Sequence, residues 1–353
     1  MLQNRNNVFG HTFWQFTGLF VFLHVEKSIF TKNIFMLANS LLLILGLAVL
    51  IKGADWMVSG ASALAKKYHV SDLVIGLTIV AFGTSAPELV VNVIASSQNF
   101  NDIVLGNVLG SNMANLFLIL GITGIIYPLV VQSSTTWKEI PISLMAVVLL
   151  FLLANNFFMY ENPVISRLDG LFLLLMFGLF LFYVYRLSKS DTASKEVVVS
   201  EMSLFKMIAF IVIGLAGLVL GGRLVVNNAV EIATILGLSE KIIGFTIVAI
   251  GTSLPELATS VVAAIRKNTN IAVGNIIGSN IFNIFLVIST SAVVSPVIFN
   301  PVFNTDMYLL AGGTVFLFIA MFTGCKKKLD RWEAAILLLV YLGYTAMLVA
   351  KEI

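Results

Sequence analysis

The chain has 353 residues, 59% of them hydrophobic and 11% charged, with a formal net charge of +3 and a mean hydropathy of +0.99. Soluble domains carry about 25% charged residues, so this composition excludes a water-facing surface of matching size, and the small positive balance is no nucleic-acid signal. The single cysteine, Cys325, excludes an intrachain disulfide and a cysteine-based metal cluster.

Apolar stretches of about 20 residues, the length that crosses a bilayer core, follow one another with short polar gaps. Residues 1–35 fit this pattern poorly. The apolar run from Phe13 to Leu23 is too short to span and has no small-residue cleavage site after it. The extension reads as an interfacial helix, an inefficient signal or a misassigned start, with Met36 directly ahead of the first good span. Ten membrane helices are expected, near 37–64, 72–97, 103–126, 139–157, 168–186, 205–233, 240–265, 271–294, 307–324 and 332–350. The polar stretch at 187–204 separates a first transmembrane repeat, 36–186, from a second, 205–353. The predicted fold is therefore all-α: a polytopic membrane protein of ten helices in two five-helix halves.

Orientation follows from lysine and arginine in alternate loops. One set holds Lys66, Lys67, Lys138, Arg186, Lys189, Lys195, Lys206, Arg266, Lys267, Lys326, Lys327, Lys328 and Arg331; the other holds Arg167, Arg223, Lys241 and Lys351. The rich set is predicted to be cytoplasmic, which puts both ends of the ten-helix core outside and the 187–204 linker inside. A plasma (inner) membrane location is expected.

Shifted by 168 positions, the halves align without a gap. GLTIVAFGTSAPEL at Gly76–Leu89 matches GFTIVAIGTSLPEL at Gly244–Leu257, and GNVLGSNMAN at Gly106–Asn115 matches GNIIGSNIFN at Gly274–Asn283. Five helices per half turn the second copy upside down in the membrane. Inverted repeats of this kind belong to secondary transporters, whose sites lie at the midplane between the repeats.

Glu88 and Glu256 fall mid-span in apolar helices, where a carboxylate costs about 2.5–3.5 kcal/mol on insertion scales. No lysine or arginine in either motif offsets that cost, so a bound cation is the simplest partner; the plainer alternative is two protonated, structural glutamates. Each follows a proline, Pro87 or Pro255, which cannot donate to the carbonyl four residues back, on Gly83 or Gly251. The Gly-Thr-Ser triplets ease local unwinding. Thr84 shares a helix face with Glu88, and Thr252 with Glu256. On the next helix of each half, Asn107, Ser111 and Asn115 form a stripe, as do Asn275, Ser279 and Asn283, flanked by Asn112 and Asn280. All are oxygen donors, and calcium takes about 6–8 oxygens. A transition metal would want His or Cys, and His11, His24 and His69 lie outside these segments. Gly106 with Gly110, and Gly274 with Gly278, are expected to let the asparagine helices press against the glutamate helices. No GxxxxGK[ST] phosphate loop is present, so no ATP-driven cycle is expected, and energy comes from an ion gradient.

At GTSAPEL, GTSLPEL and the two GN-x-x-GSN-x-x-N segments the chain resembles the cation/calcium exchanger superfamily, in its sodium/calcium exchanger branch, over essentially all of residues 36–350. The resemblance implies four core helices around a central cation cluster and alternating access by sliding of the first and sixth helices. It also implies cation ligands at Ala81, Thr84, Ser85, Glu88, Ser111 and Asn115, and at Ala249, Thr252, Ser253, Glu256, Ser279 and Asn283, the alanines acting through their carbonyls. Many relatives carry an aspartate at one of the positions matching Asn115 and Asn283; here both are asparagine, so the family's usual sodium stoichiometry and potassium dependence are not carried over. The expected partners are sodium and calcium ions and the lipid bilayer, with no resident cofactor, no nucleic acid and no ATP. The expected activity is sodium/calcium antiport, not enzymatic catalysis. A calcium/proton antiporter on the same fold, a cation channel and a membrane-embedded hydrolase are the alternatives.

Overall fold

The computed structural model describes residues 6–155, 163–190, 202–237, 251–324 and 327–352, with side chains from Ile34 to Ala350. The helices are α1 (Asn6–Lys67), α2 (Asp72–Ser97), α3 (Asn101–Ile126), α4 (Thr135–Ala154), α5 (Arg167–Lys189), α6 (Leu204–Ile235), α7 (Leu254–Ile265), α8 (Thr269–Val294), α9 (Asn304–Ala320) and α10 (Arg331–Glu352). Nine helices among the described residues are long and apolar enough to cross a membrane. The seventh predicted span is described only from Gly251, so 240–250, most of the 187–204 linker and Cys325 lie outside the described residues.

Two expected boundaries move. The first helix does not begin near 37 but runs from Asn6; no proline, the strongest helix breaker, interrupts positions 1–67. The ninth starts earlier than 307 and ends at Ala320. The Asn300 side chain accepts from the Val302 amide at 3.1 Å, Pro301 occupies the first helical turn, and Gly324 takes a left-handed φ of +52° just beyond the end.

Four two-residue strands, absent from the sequence prediction, tie the halves together. Leu129–Val130 pairs antiparallel with Lys328–Leu329, and Val164–Ile165 with Val297–Ile298. Each pair joins the segment after the third helix of one repeat to the segment before the fifth helix of the other. Backbone groups of these short segments between helices are paired there.

Buried polar ties repeat the same symmetry. Glu139 on α4 accepts from the Tyr183 hydroxyl on α5, and Asp306 on α9 accepts from Tyr344 on α10 at 2.5 Å. Asn155 and Asn304 exchange amide bonds of 2.9 and 3.0 Å across the repeats. Ser166 with Asp169, and Asp330 with Glu333, close the N-termini of α5 and α10. Glu333 is fully buried and accepts from the Asp330 amide at 2.7 Å and from the Thr323 hydroxyl. Glu333→Ala removes the acceptor of the Asp330 amide and leaves the Thr323 hydroxyl only the Ala320 carbonyl at 3.0 Å; it is expected to destabilise the protein by about 1–3 kcal/mol, read as a lower unfolding midpoint in detergent.

α1 and α6 meet backbone to backbone. A Cβ built on Gly53 would lie 2.8 Å from the Gly214 carbonyl oxygen, one on Gly214 2.6 Å from the Met57 nitrogen, and one on Gly221 2.6 Å from the Leu50 nitrogen. Gly46, Gly53 and Gly60 recur every seventh residue, as do Gly214 and Gly221, so one face of each helix stays bare along the seam.

Candidate cation site

α2 and α7 carry the two glutamates into the centre, backed by α3 and α8. Glu88 and Glu256 are each 1% exposed, and Ser85, three residues before Glu88, is hydrogen-bonded to Glu256. The helices reach them differently. α2 runs unbroken through Pro87, preceded by a π turn at Gly76–Val80. In the second repeat the chain leaves helix at Thr252–Ser253 and resumes at Leu254, with Pro255 in the first turn. The unwinding expected at both Gly-Thr-Ser triplets thus occurs in the second repeat only. A proline in a first turn displaces no hydrogen bond, whereas Pro87 sits mid-helix and leaves the Gly83 carbonyl without its usual donor.

Eight of the thirteen buried side-chain oxygen or nitrogen atoms that no hydrogen bond satisfies, among the described residues, belong to seven predicted ligands. They are both carboxylate oxygens of Glu88, Oε2 of Glu256, the hydroxyls of Ser111, Ser253 and Ser279, and Oδ1 of Asn115 and Asn283. Each such atom costs about 1–3 kcal/mol and a charged one more, so their gathering in residues of one repeated motif pair calls for a positive partner.

The remaining predicted ligands are placed as follows. Ser85 donates to Glu256 Oε1 at 3.3 Å, a direct bond between the repeats. The Thr84 hydroxyl lies 3.1 Å from both Asn275 Oδ1 and the Val80 carbonyl, and 3.4 Å from the Ala81 carbonyl. Thr252 is half-buried and lines a cavity of about 430 Å3 with Pro87, Val91, Val219, Arg223 and Asn227. Ala249 lies outside the described residues.

The asparagine stripes divide their labour. Asn107 donates to Asn92 Oδ1 at 2.6 Å, and Asn275 donates to the Ser260 hydroxyl at 3.0 Å. These are repeat-related ties between the asparagine helix and the glutamate helix, and each commits an amide nitrogen to the brace. Asn92 and Ser260 were not singled out from sequence, although each stands four residues after a glutamate, on its face. Beyond Ser111 and Ser279 the helices widen into π turns at Ala114–Ile119 and Asn283–Ile288. Such turns cluster at functional positions and reset the direction of the side chains within them.

The glycine prediction holds where both partners are described. A Cβ on Gly274 would lie 2.9 Å from the Leu73 carbonyl oxygen, and one on Gly278 2.9 Å from Ala81 Cβ. Gly106 and Gly110 have no such close backbone neighbour among the described residues, and the stretch that repeat symmetry sets against them, 241–249, lies outside those residues.

The C-terminal part of α1 is latched to the segment that follows α7. Arg266, just past α7, binds Asp55 and donates to Ser59 at 2.6 Å, and Asn268 donates to Ser62 and to Asp72, both at 2.9 Å. The cavity lies towards the opposite ends of α2 and α6. Arg266→Gln removes a half-exposed ion pair worth up to about 1 kcal/mol, so a cysteine at Ser62→Cys should react a few-fold faster with a membrane-impermeant thiol reagent.

The model of the family described as "Sodium/calcium exchanger protein" matches residues 38–186 and 206–350. The sodium/calcium exchanger MaX1 of Methanosarcina acetivorans is 33% identical over 351 residues, covering 88% of this chain and 98% of its own. The inner membrane protein YrbG of Escherichia coli is 37% identical over 271 residues, 74% of this chain and 81% of its own. The solved structure of the sodium–calcium exchanger NCX_Mj superposes with a TM-score of 0.75 at 32% identity, covering 88% of this chain and 99% of that one. By these matches the chain belongs to the sodium/calcium exchanger protein family and is a polytopic membrane antiporter of the cation/calcium class, not an enzyme.

Proposed function

We propose that this protein exchanges sodium for calcium at a single site bounded by Glu88 and Glu256, with Ala81, Thr84, Ser85, Ser111, Asn115, Ala249, Thr252, Ser253, Ser279 and Asn283 completing the ligand set. The observation that carries this is the set of unsatisfied buried oxygens. Two carboxylates balance one calcium ion, and the neutral oxygens bring the donor count into its range of about 6–8. The ions are cargo, and no resident cofactor is invoked.

The same oxygens favour sodium over the proton as counter-ion. Protons on the two carboxylates would leave most of the neutral hydroxyl and amide oxygens without a partner, whereas sodium ions accept several oxygens each. The cavity beside Pro87 and Thr252 supplies access from the outer face, and the Asp55–Arg266 latch closes the cytoplasmic face, on the orientation that the lysine and arginine distribution gives. A plasma-membrane location fits this polarity.

The test is calcium uptake into proteoliposomes under a sodium gradient or a pH gradient, each alone. Uptake should follow the outward sodium gradient and ignore the pH gradient. Uptake driven by the pH gradient alone would establish the calcium/proton antiporter instead.

A further inference from the structure

We infer that Asn112 is a positioning residue for the cation site: it fixes the amide of Asn283 so that oxygen, not nitrogen, faces the ion. The proposal rests on the paired-glutamate site and adds to it a residue outside the expected ligand set.

The chain of hydrogen bonds has one direction. Asn112 Nδ2 donates to the backbone carbonyl of Asn280 at 3.3 Å. A carbonyl can only accept, so the nitrogen of Asn112 must point to it and the oxygen must point away. That oxygen accepts from Asn283 Nδ2 at 3.0 Å. The Asn283 nitrogen is thereby committed to Asn112, and its Oδ1 is left buried with no protein partner. Asn112 is fully buried and Asn283 is 1% exposed, so water has little access to compete for either amide.

Oδ1 of Asn283 lies on the working face of α8. Asn275, two turns earlier, touches Thr84 and the Glu256 carbonyl, and Ser279, one turn earlier, presents another unsatisfied hydroxyl. A flipped Asn283 would present an N–H dipole to a cation and add repulsion where a ligand is needed. Asn112 stands on the opposite repeat, so the second repeat depends on the first for this ligand's geometry.

The experiment measures half-saturating calcium in sodium-loaded proteoliposomes for wild type, Asn112→Leu, Asn112→Ala, Asn283→Asp, the Asn112→Leu/Asn283→Asp double variant and Glu88→Gln. Losing a partner that orients a ligand weakens ion binding by about 10–100-fold, so both single Asn112 variants should raise half-saturating calcium at least tenfold; the alanine variant carries the test if leucine impairs folding. An aspartate offers oxygen in either orientation. In the Asn283→Asp background, Asn112→Leu should therefore change half-saturation by less than about twofold, within the scatter of independent sites. An undiminished rise in that background would make Asn112 a packing residue and overturn the proposal, as would unchanged half-saturation in both single Asn112 variants. Full exchange by Glu88→Gln would overturn the paired-glutamate site, and the proposal with it.

Discussion

Glu88→Gln and Glu256→Gln are each expected to lower calcium uptake at limiting calcium by about two orders of magnitude or more. The amide keeps the shape and removes the charge, leaving a divalent ion against a single carboxylate. Removing one partner from a buried charge interaction costs about 3–5 kcal/mol, and each 1.4 kcal/mol is about tenfold in affinity. A second readout has the opposite sign. Glu88 and Glu256 are buried with carboxylate oxygens that no protein group satisfies, so without cations the charge-neutral variants should unfold at a higher temperature than wild type. Calcium should raise the wild-type midpoint, by an amount equivalent to about 2.7 kcal/mol at a hundredfold excess over Kd, and leave both variants nearly unmoved. Wild-type uptake with an intact calcium-induced shift in either variant would remove the glutamates from the site.

Gly53→Val should be the most damaging substitution away from the ions. Its Cβ would lie 2.8 Å from both the Gly214 carbonyl oxygen and the Leu218 nitrogen, backbone atoms that cannot swing aside. Forcing atoms into a packed seam costs about 1–3 kcal/mol, and here the seam joins the two helices expected to slide. We expect a lower unfolding midpoint and a larger loss in turnover than in half-saturating calcium. Gly312→Val is the contrast: nothing described lies within 4 Å of its Cβ, so it should leave turnover near wild type. Equal behaviour of the two variants would show that the seam does not govern exchange.

Much of this architecture could be read from the residues themselves. The 168-residue repeat fixed the pairing of the halves, because each motif appears twice with its proline and glutamate in register. Six of the seven candidate ligands with unsatisfied oxygens stood out for the same reason: a polar group mid-span, present twice, has few structural explanations; Ser253 entered through the family resemblance alone. What escaped was whatever breaks the symmetry or has no one-dimensional signal. The helix breaks at Thr252–Ser253 and continues through Pro87, although the two triplets are identical. The two-residue strands are too short for a period-two pattern to register. The glycine seam was legible in principle, since Gly46, Gly53 and Gly60 recur every seven residues, but small-residue spacing is common wherever membrane helices pack and does not name the partner helix.

The paired-glutamate site is tested most directly by locating a heavy calcium substitute. Anomalous scattering from crystals grown with strontium should give one dominant peak between Glu88 and Glu256, within about 2.3–2.8 Å of both carboxylates, the calcium range extended for a larger ion. Strontium bound elsewhere, with the two carboxylates bonded only to protein groups or water, would contradict the site.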